Sequence, residues 1–116
     1  MSNNDTFSKL MAVIEDRRKY PSDESYTTSL MRSGTSNINA KILEEANELV
    51  EAADEPGAAG QKHIVREAAD LVYHLFVLLA RSDIPLDRLE AELRRRSGVS
   101  GLEEKASREP GGKIDE

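Results

Sequence analysis

Apolar residues return at helical spacing in five stretches of this 116-residue chain, separated by proline, glycine and capping residues. Phe7, Leu10, Met11 and Ile14 mark the first, from about residue 6 to 19, with Asp5 or Thr6 as N-cap and Pro21 beyond the end. The stretch PSDESYTTSLMRSG predicts one or two further turns carrying Tyr26, Leu30 and Met31, begun by Ser22, Asp23 or Ser25 and capped by Gly34. Thr35 or Ser36 caps the third segment, where Ile38, Ile42, Ala46, Leu49, Val50 and Ala53 trace an apolar stripe until DEPGAAG interrupts it. The fourth runs from about 61 to 82. After Asp83 and Pro85 a fifth carries Leu86, Leu89 and Leu93 and closes at Gly98, behind the basic run Arg94, Arg95 and Arg96. A turn of roughly six residues between the third and fourth segments makes them antiparallel neighbours.

These two neighbours carry acids where a core face is expected. Glu44, Glu45 and Glu48 fall within about 100° of arc on one helix, and Glu67 and Asp70 lie about 60° apart on the other. The run after Asp70 (Leu71, Val72, Leu75 to Ala80) is apolar at nearly every angle, which is the mark of a buried helix. Glu48 precedes the turn, and Glu67 follows it, by similar distances, so the two clusters face each other at equal height. Anions gathered beside a core repel one another and lose solvation, and must be protonated, paired or bound to a cation. On the fourth helix only Arg66 offers compensation, and on the third Lys41 can pair with Glu44 or Glu45. Hard oxygen donors without a thiolate point to Mg²⁺, with Mn²⁺ as the alternative. His74, about 20° from Glu67 on the wheel, is expected to be a core histidine or a carboxylate's partner rather than a ligand, and Tyr73 a core residue.

Composition agrees with this picture. Charged residues make up 33% and aromatics 4%, a balance that favours helix, so the fold is expected to be all-α, an antiparallel bundle of about five helices. A net charge of −6 leaves no dominant basic stripe and argues against nucleic-acid or anionic-membrane binding. With no cysteine there is neither a disulfide nor a thiolate metal site. The opening MSNNDTFSKL does not read as a signal peptide, and the apolar run around Tyr73 and His74 is too short to span a bilayer, so a cytoplasmic protein is expected. The fourth segment has more apolar surface than one layer of helices covers, which predicts a homodimer.

Four motifs then resemble one family in order and spacing: SYTTSLMRSG at 25–34, KILEEANE at 41–48, EAADLVYHLFVLL at 67–79 and SGLEEKASR at 100–108. The E-x-x-D that follows E-E-x-x-E is by itself similar to the wider MazG-like all-α nucleoside triphosphate pyrophosphohydrolases. SYT and EKASR narrow the resemblance to the phosphoribosyl-ATP pyrophosphohydrolase family, over about residues 7 to 108. That resemblance implies a Mg²⁺-dependent homodimer that hydrolyses phosphoribosyl-ATP to phosphoribosyl-AMP and pyrophosphate, the second step of histidine biosynthesis. It implies Glu45, Glu48, Glu67 and Asp70 as principal metal ligands, with Glu44 completing the shell or orienting a water, and one of the catalytic candidates Glu44, Glu45 and Glu48 directing the attacking water. Arg18, Lys41, Lys105 and Arg108 become candidates for phosphate contacts, and Ser25, Tyr26 and Tyr73 for the base or ribose. Leu43 departs from the family, which commonly has glycine before the paired glutamates. Many relatives are fused to a cyclohydrolase that holds zinc through cysteine, and a chain without cysteine is expected to carry the pyrophosphohydrolase alone, as one domain over 1–108 with a polar tail at 109–116. The competing expectations are a pyrophosphohydrolase of the same kind acting on housekeeping nucleotides such as dCTP or dUTP, and a non-catalytic helical dimerisation module.

Overall fold

Helices and the turns between them account for residues 5–98, the part of the chain that this computed structural model describes. The first unit, which ends at Ile84, holds α1 (Asp5–Lys19), α2 (Tyr26–Ser33), α3 (Thr35–Ala52) and α4 (Gly57–Arg81); the second begins at Pro85 and holds α5 (Leu86–Gly98). No strand occurs among the described residues, as the all-α expectation required. Nor among them is any helix long and apolar enough to cross a membrane. Lys105, Arg108 and the tail at 109–116 lie outside the described residues.

Local chemistry sets the helix ends, not always as the sequence suggests. Ser25 caps α2, its hydroxyl accepting from the Thr28 N–H at 3.1 Å. Gly34 closes α2 and also opens α3 in a left-handed conformation (φ 97°) that a β-carbon would resist. Neither Thr35 nor Ser36 is therefore a cap, because α3 already begins at Thr35 with no side-chain bond at its start. Likewise Asp5 and Thr6 lie inside α1 rather than ahead of it.

The largest departure is at the hairpin. Instead of breaking the chain through Gly60, the segment DEPGAAG turns at residues 53–56 and starts α4 at Gly57. Pro56 is extended, Gly57 has φ 73°, and the Gly60 N–H donates to the Pro56 carbonyl at 3.3 Å. A β-carbon on Gly60 would lie 2.1 Å from the Glu55 carbonyl oxygen. Glycine serves here to let the turn fold back onto the helix, not to end it.

A Schellman-type turn ends α4: the Ile84 N–H reaches the Leu79 carbonyl at 2.8 Å and the Asp83 N–H that of Ala80 at 3.0 Å. Asp83 occupies the left-handed position (φ 64°) usually given to glycine, and its carboxylate takes an ion pair from Arg18 at 2.6 Å.

Met11 and Ile14 from α1, Leu30 from α2, Ile38 from α3, and Phe76, Val77 and Ala80 from α4 are buried. Phe7 meets Phe76 edge to face at 5.8 Å, tying α1 to α4. In the second unit Leu86 is buried, and Arg95 and Arg96 both grip Glu92, at 2.8 and 3.1 Å, holding that carboxyl down at about 2.

Candidate active site

Along α3 the buried positions are Ile38, Glu45 and Ala52, seven residues apart. Along α4, Gly60, Glu67 and His74 repeat the same interval. Seven residues make nearly two whole turns, so each set is a single line down its helix, and a carboxylate occupies the middle of both. Across the hairpin, carboxylate oxygens of Glu45 and Glu67 are brought close to each other. The helices are therefore in a register that makes these two acids level. The expected apolar stripe of α3 is correspondingly rotated, for Val50 is 67% exposed while Glu45 is only 8% exposed.

Carboxylate oxygens of Glu45, Glu67 and Asp70 come within 4.8 Å of one another. Oε1 of Glu45 and Oε1 of Glu67 are buried and meet no donor outside the neighbouring carboxyls. Burial, the hydrogen bond to Glu67 and the charges of Asp70 and Glu48 push the Glu45 carboxyl up to about 7. Glu48, half-buried, is raised by its own hydrogen bond to Glu67 and then by desolvation. For Glu67 burial works upward too, but hydrogen bonds from Glu45, Glu48 and His63 outweigh it and hold the group below its ordinary value. Orphaned oxygens at that spacing fit a divalent cation: metal–oxygen distances of about 2.0 to 2.6 Å place ligand oxygens roughly 3 to 5 Å apart. The donor set is all carboxylate, which favours a hard ion without naming it.

Glu44 stands apart, exposed and paired with Lys41 at 3.4 Å. Lys41 is itself raised, first by Tyr26 of a nearby aromatic group and then by Glu44. In that group Tyr26 stacks on Tyr73 at 6.1 Å, the Tyr73 hydroxyl bonds Thr27 Oγ1, and Tyr26 Oη meets His74 Nε2 at 3.3 Å. His74 Nδ1 donates to the Asp70 carbonyl at 2.9 Å, because a carbonyl can only accept. His74 is thus a core histidine, not a carboxylate's partner; its Nε2 is left to accept from Tyr26.

Of the remaining candidates, Ser25 acts as the α2 cap. Arg18 is engaged with Asp83, thirteen positions beyond Asp70, and is not brought to the acids. Leu43 is 67% exposed, so its bulk sits in solvent and leaves the acids undisturbed. Arg66 is exposed and makes no ion pair among the described residues; the compensating group on α4 is His63 instead. Its Nε2 lies 3.2 Å from Glu67 Oε2 and its Nδ1 2.8 Å from Glu55 Oε2. Its position four residues before Glu67 was visible in the sequence, but its second partner depends on the fold-back of the turn.

A helix hairpin that sinks facing carboxylates into its seam defines an all-α protein with an acidic centre suited to a divalent cation. The phosphoribosyl-ATP pyrophosphohydrolase family matches residues 7–97, and the chain belongs to that family. It is 53% identical over 100 residues to a phosphoribosyl-ATP pyrophosphatase of Rhodopirellula baltica, covering 86% of this chain and 83% of that protein. With the phosphoribosyl-ATP pyrophosphatase of Pelobacter propionicus it shares 46% over 105 residues, 90% of this chain and 94% of the other. A histidine biosynthesis bifunctional protein HisIE of Helicobacter hepaticus is 48% identical over 99 residues, which span 85% of this chain and 42% of that protein.

Proposed function

We propose that this protein hydrolyses phosphoribosyl-ATP to phosphoribosyl-AMP and pyrophosphate, as a Mg²⁺-dependent enzyme of histidine biosynthesis. The observation that carries the proposal is the facing pair Glu45 and Glu67 with Asp70 beside them, in a chain whose relatives bear that activity in their names. The match over residues 7–97 supports treating this stretch as one pyrophosphohydrolase domain.

Glu45, Glu67 and Asp70 would hold the cation, with Glu48 close enough to Glu67 to join them. When bound, Mg²⁺ supplies the positive charge that lets a triphosphate approach an acidic pocket and that acidifies water. Glu44 has Oε1 on Lys41 and an exposed side chain, and would orient a water and take its proton. The bond broken is that between the α- and β-phosphates. Lys41, paired with Glu44 beside the acids, is the phosphate contact best placed among the described residues, and Tyr26, half-exposed, offers a face for the base or ribose. A homodimer would cover apolar side chains that the single chain exposes, such as Val13 and Val65.

Pyrophosphate release from phosphoribosyl-ATP, dCTP and dUTP, measured side by side with Mg²⁺, tests the proposal. A strong preference for phosphoribosyl-ATP is expected. Preference for a deoxynucleotide would transfer the same chemistry to a housekeeping substrate, and no hydrolysis of any of the three would leave a non-catalytic module.

A further inference from the structure

His63 touches the acidic centre from the side on which the hairpin turns. It is half-buried in the second turn of α4, and its two ring nitrogens have different partners. Nε2 takes Glu67 Oε2 at 3.2 Å; Nδ1 takes Glu55 Oε2 at 2.8 Å. Glu67 therefore has Oε2 held by His63, while Oε1 is buried and meets no donor outside the neighbouring carboxyls. The other end of the chain of contacts is also fixed. The Glu55 N–H donates to the Ala52 carbonyl at 3.1 Å, and its own carbonyl lies against Gly60 where a β-carbon would not fit.

We infer that His63 is a positioning residue for the cation site: held by Glu55, it ties down Glu67 Oε2 and so fixes the orientation in which the carboxylate meets Glu45 and Asp70. This rests on the reading of those acids as the ligands of a divalent cation. A carboxylate without such a partner swings about its last side-chain bond and offers either oxygen, at a cost to any ion that needs a set geometry. Partners of this kind behind a metal ligand typically change affinity about 10- to 100-fold when removed. Glu55 stands in the α3–α4 turn and acts through His63.

Calorimetric titration of the full chain with Mn²⁺ at a single pH, with far-UV circular dichroism to check folding, tests the assignment. His63→Ala should bind the ion about 10-fold more weakly. His63→Gln can return a donor where Nε2 stood and should recover to within about threefold of the parent, whereas His63→Asn restores only the Nδ1 side and should resemble the alanine variant. Glu55→Ala should weaken binding in the parent but not in His63→Ala. Should alanine unfold the chain, the contrast between glutamine and asparagine carries the test. Binding that is unchanged or tighter in His63→Ala, or equal in the glutamine and asparagine variants, would overturn the inference while leaving the metal site standing. A parent protein that takes up no Mn²⁺ would remove the site and the inference together.

Discussion

Glu45 and Glu67 face each other across the α3–α4 hairpin, each with a buried Oε1 that meets no donor outside the neighbouring carboxyls. Two carboxyls in that position destabilise the fold that holds them, since both lose solvation and their charges repel. Glu45→Gln should therefore raise the thermal midpoint of the metal-free protein, by about 4 °C or more if the gain is about 1 kcal/mol. The same change should lower turnover of phosphoribosyl-ATP by about 100-fold or more, the upper end of what a supporting partner alone is worth. A variant that is neither more stable nor less active would show that the acid has no role at the site.

The raised Glu45 carboxyl gives the metal-free protein a particular pH dependence. In the unfolded chain the group titrates near the ordinary glutamate value of 4.5, and in the folded chain at about 7. Between these values the folded state holds a proton that the unfolded state has released, so stability is full below about 4.5 and declines as pH rises through 7. Glu48 acts in the same sense and Glu67 in the opposite one. Thermal melts in chelator should show a falling midpoint from pH 5 to about 8, and saturating Mg²⁺ should flatten the fall by replacing the proton. A midpoint that instead climbs over this interval in chelator would contradict the assignment of the proton to Glu45.

Gly60 reverses a general rule. Replacing glycine by alanine inside a helix ordinarily stabilises it by about 1 kcal/mol. At Gly60 the added carbon would meet the Glu55 carbonyl at 2.1 Å, a backbone atom that cannot rotate away. Gly60→Ala should lower the midpoint by about 5 °C or more and shift Glu55 from His63, weakening metal binding as well. A midpoint equal to or above that of the parent would mean that the turn relaxes freely.

Much of this was legible in the sequence because helical spacing reports directly on which residues share a face. The five helices, the Gly34 boundary and the convergence of Glu45, Glu67 and Asp70 all follow from it. The start of α4 did not, since Gly57 and Gly60 have the composition of a break and only the approach of the Glu55 carbonyl shows why glycine is needed within the helix. The shorter turn over 53–56 was hidden too, although the facing of the two acid clusters was not: both Glu48 and Glu45 hydrogen-bond Glu67. His63 was hidden for the same reason, because one of its two partners lies in that turn. Arg18 has the charge for a phosphate contact, but the left-handed Asp83 at the end of α4 claims it.

Tyr73 separates a structural hydroxyl from a substrate contact. Its oxygen is committed to Thr27 Oγ1, and Thr27 is buried, so loss of the hydroxyl leaves a desolvated polar atom behind. Such a loss costs about 1 to 3 kcal/mol, whereas the stacking of ring 73 on ring 26 needs no oxygen and would survive. Tyr73→Phe should therefore lower the midpoint by about 5 °C or more and leave Mg²⁺ affinity and the KM for phosphoribosyl-ATP within about twofold of the parent. A KM raised about tenfold with an unchanged midpoint would reverse the assignment, making the hydroxyl a nucleotide contact and the bond to Thr27 incidental.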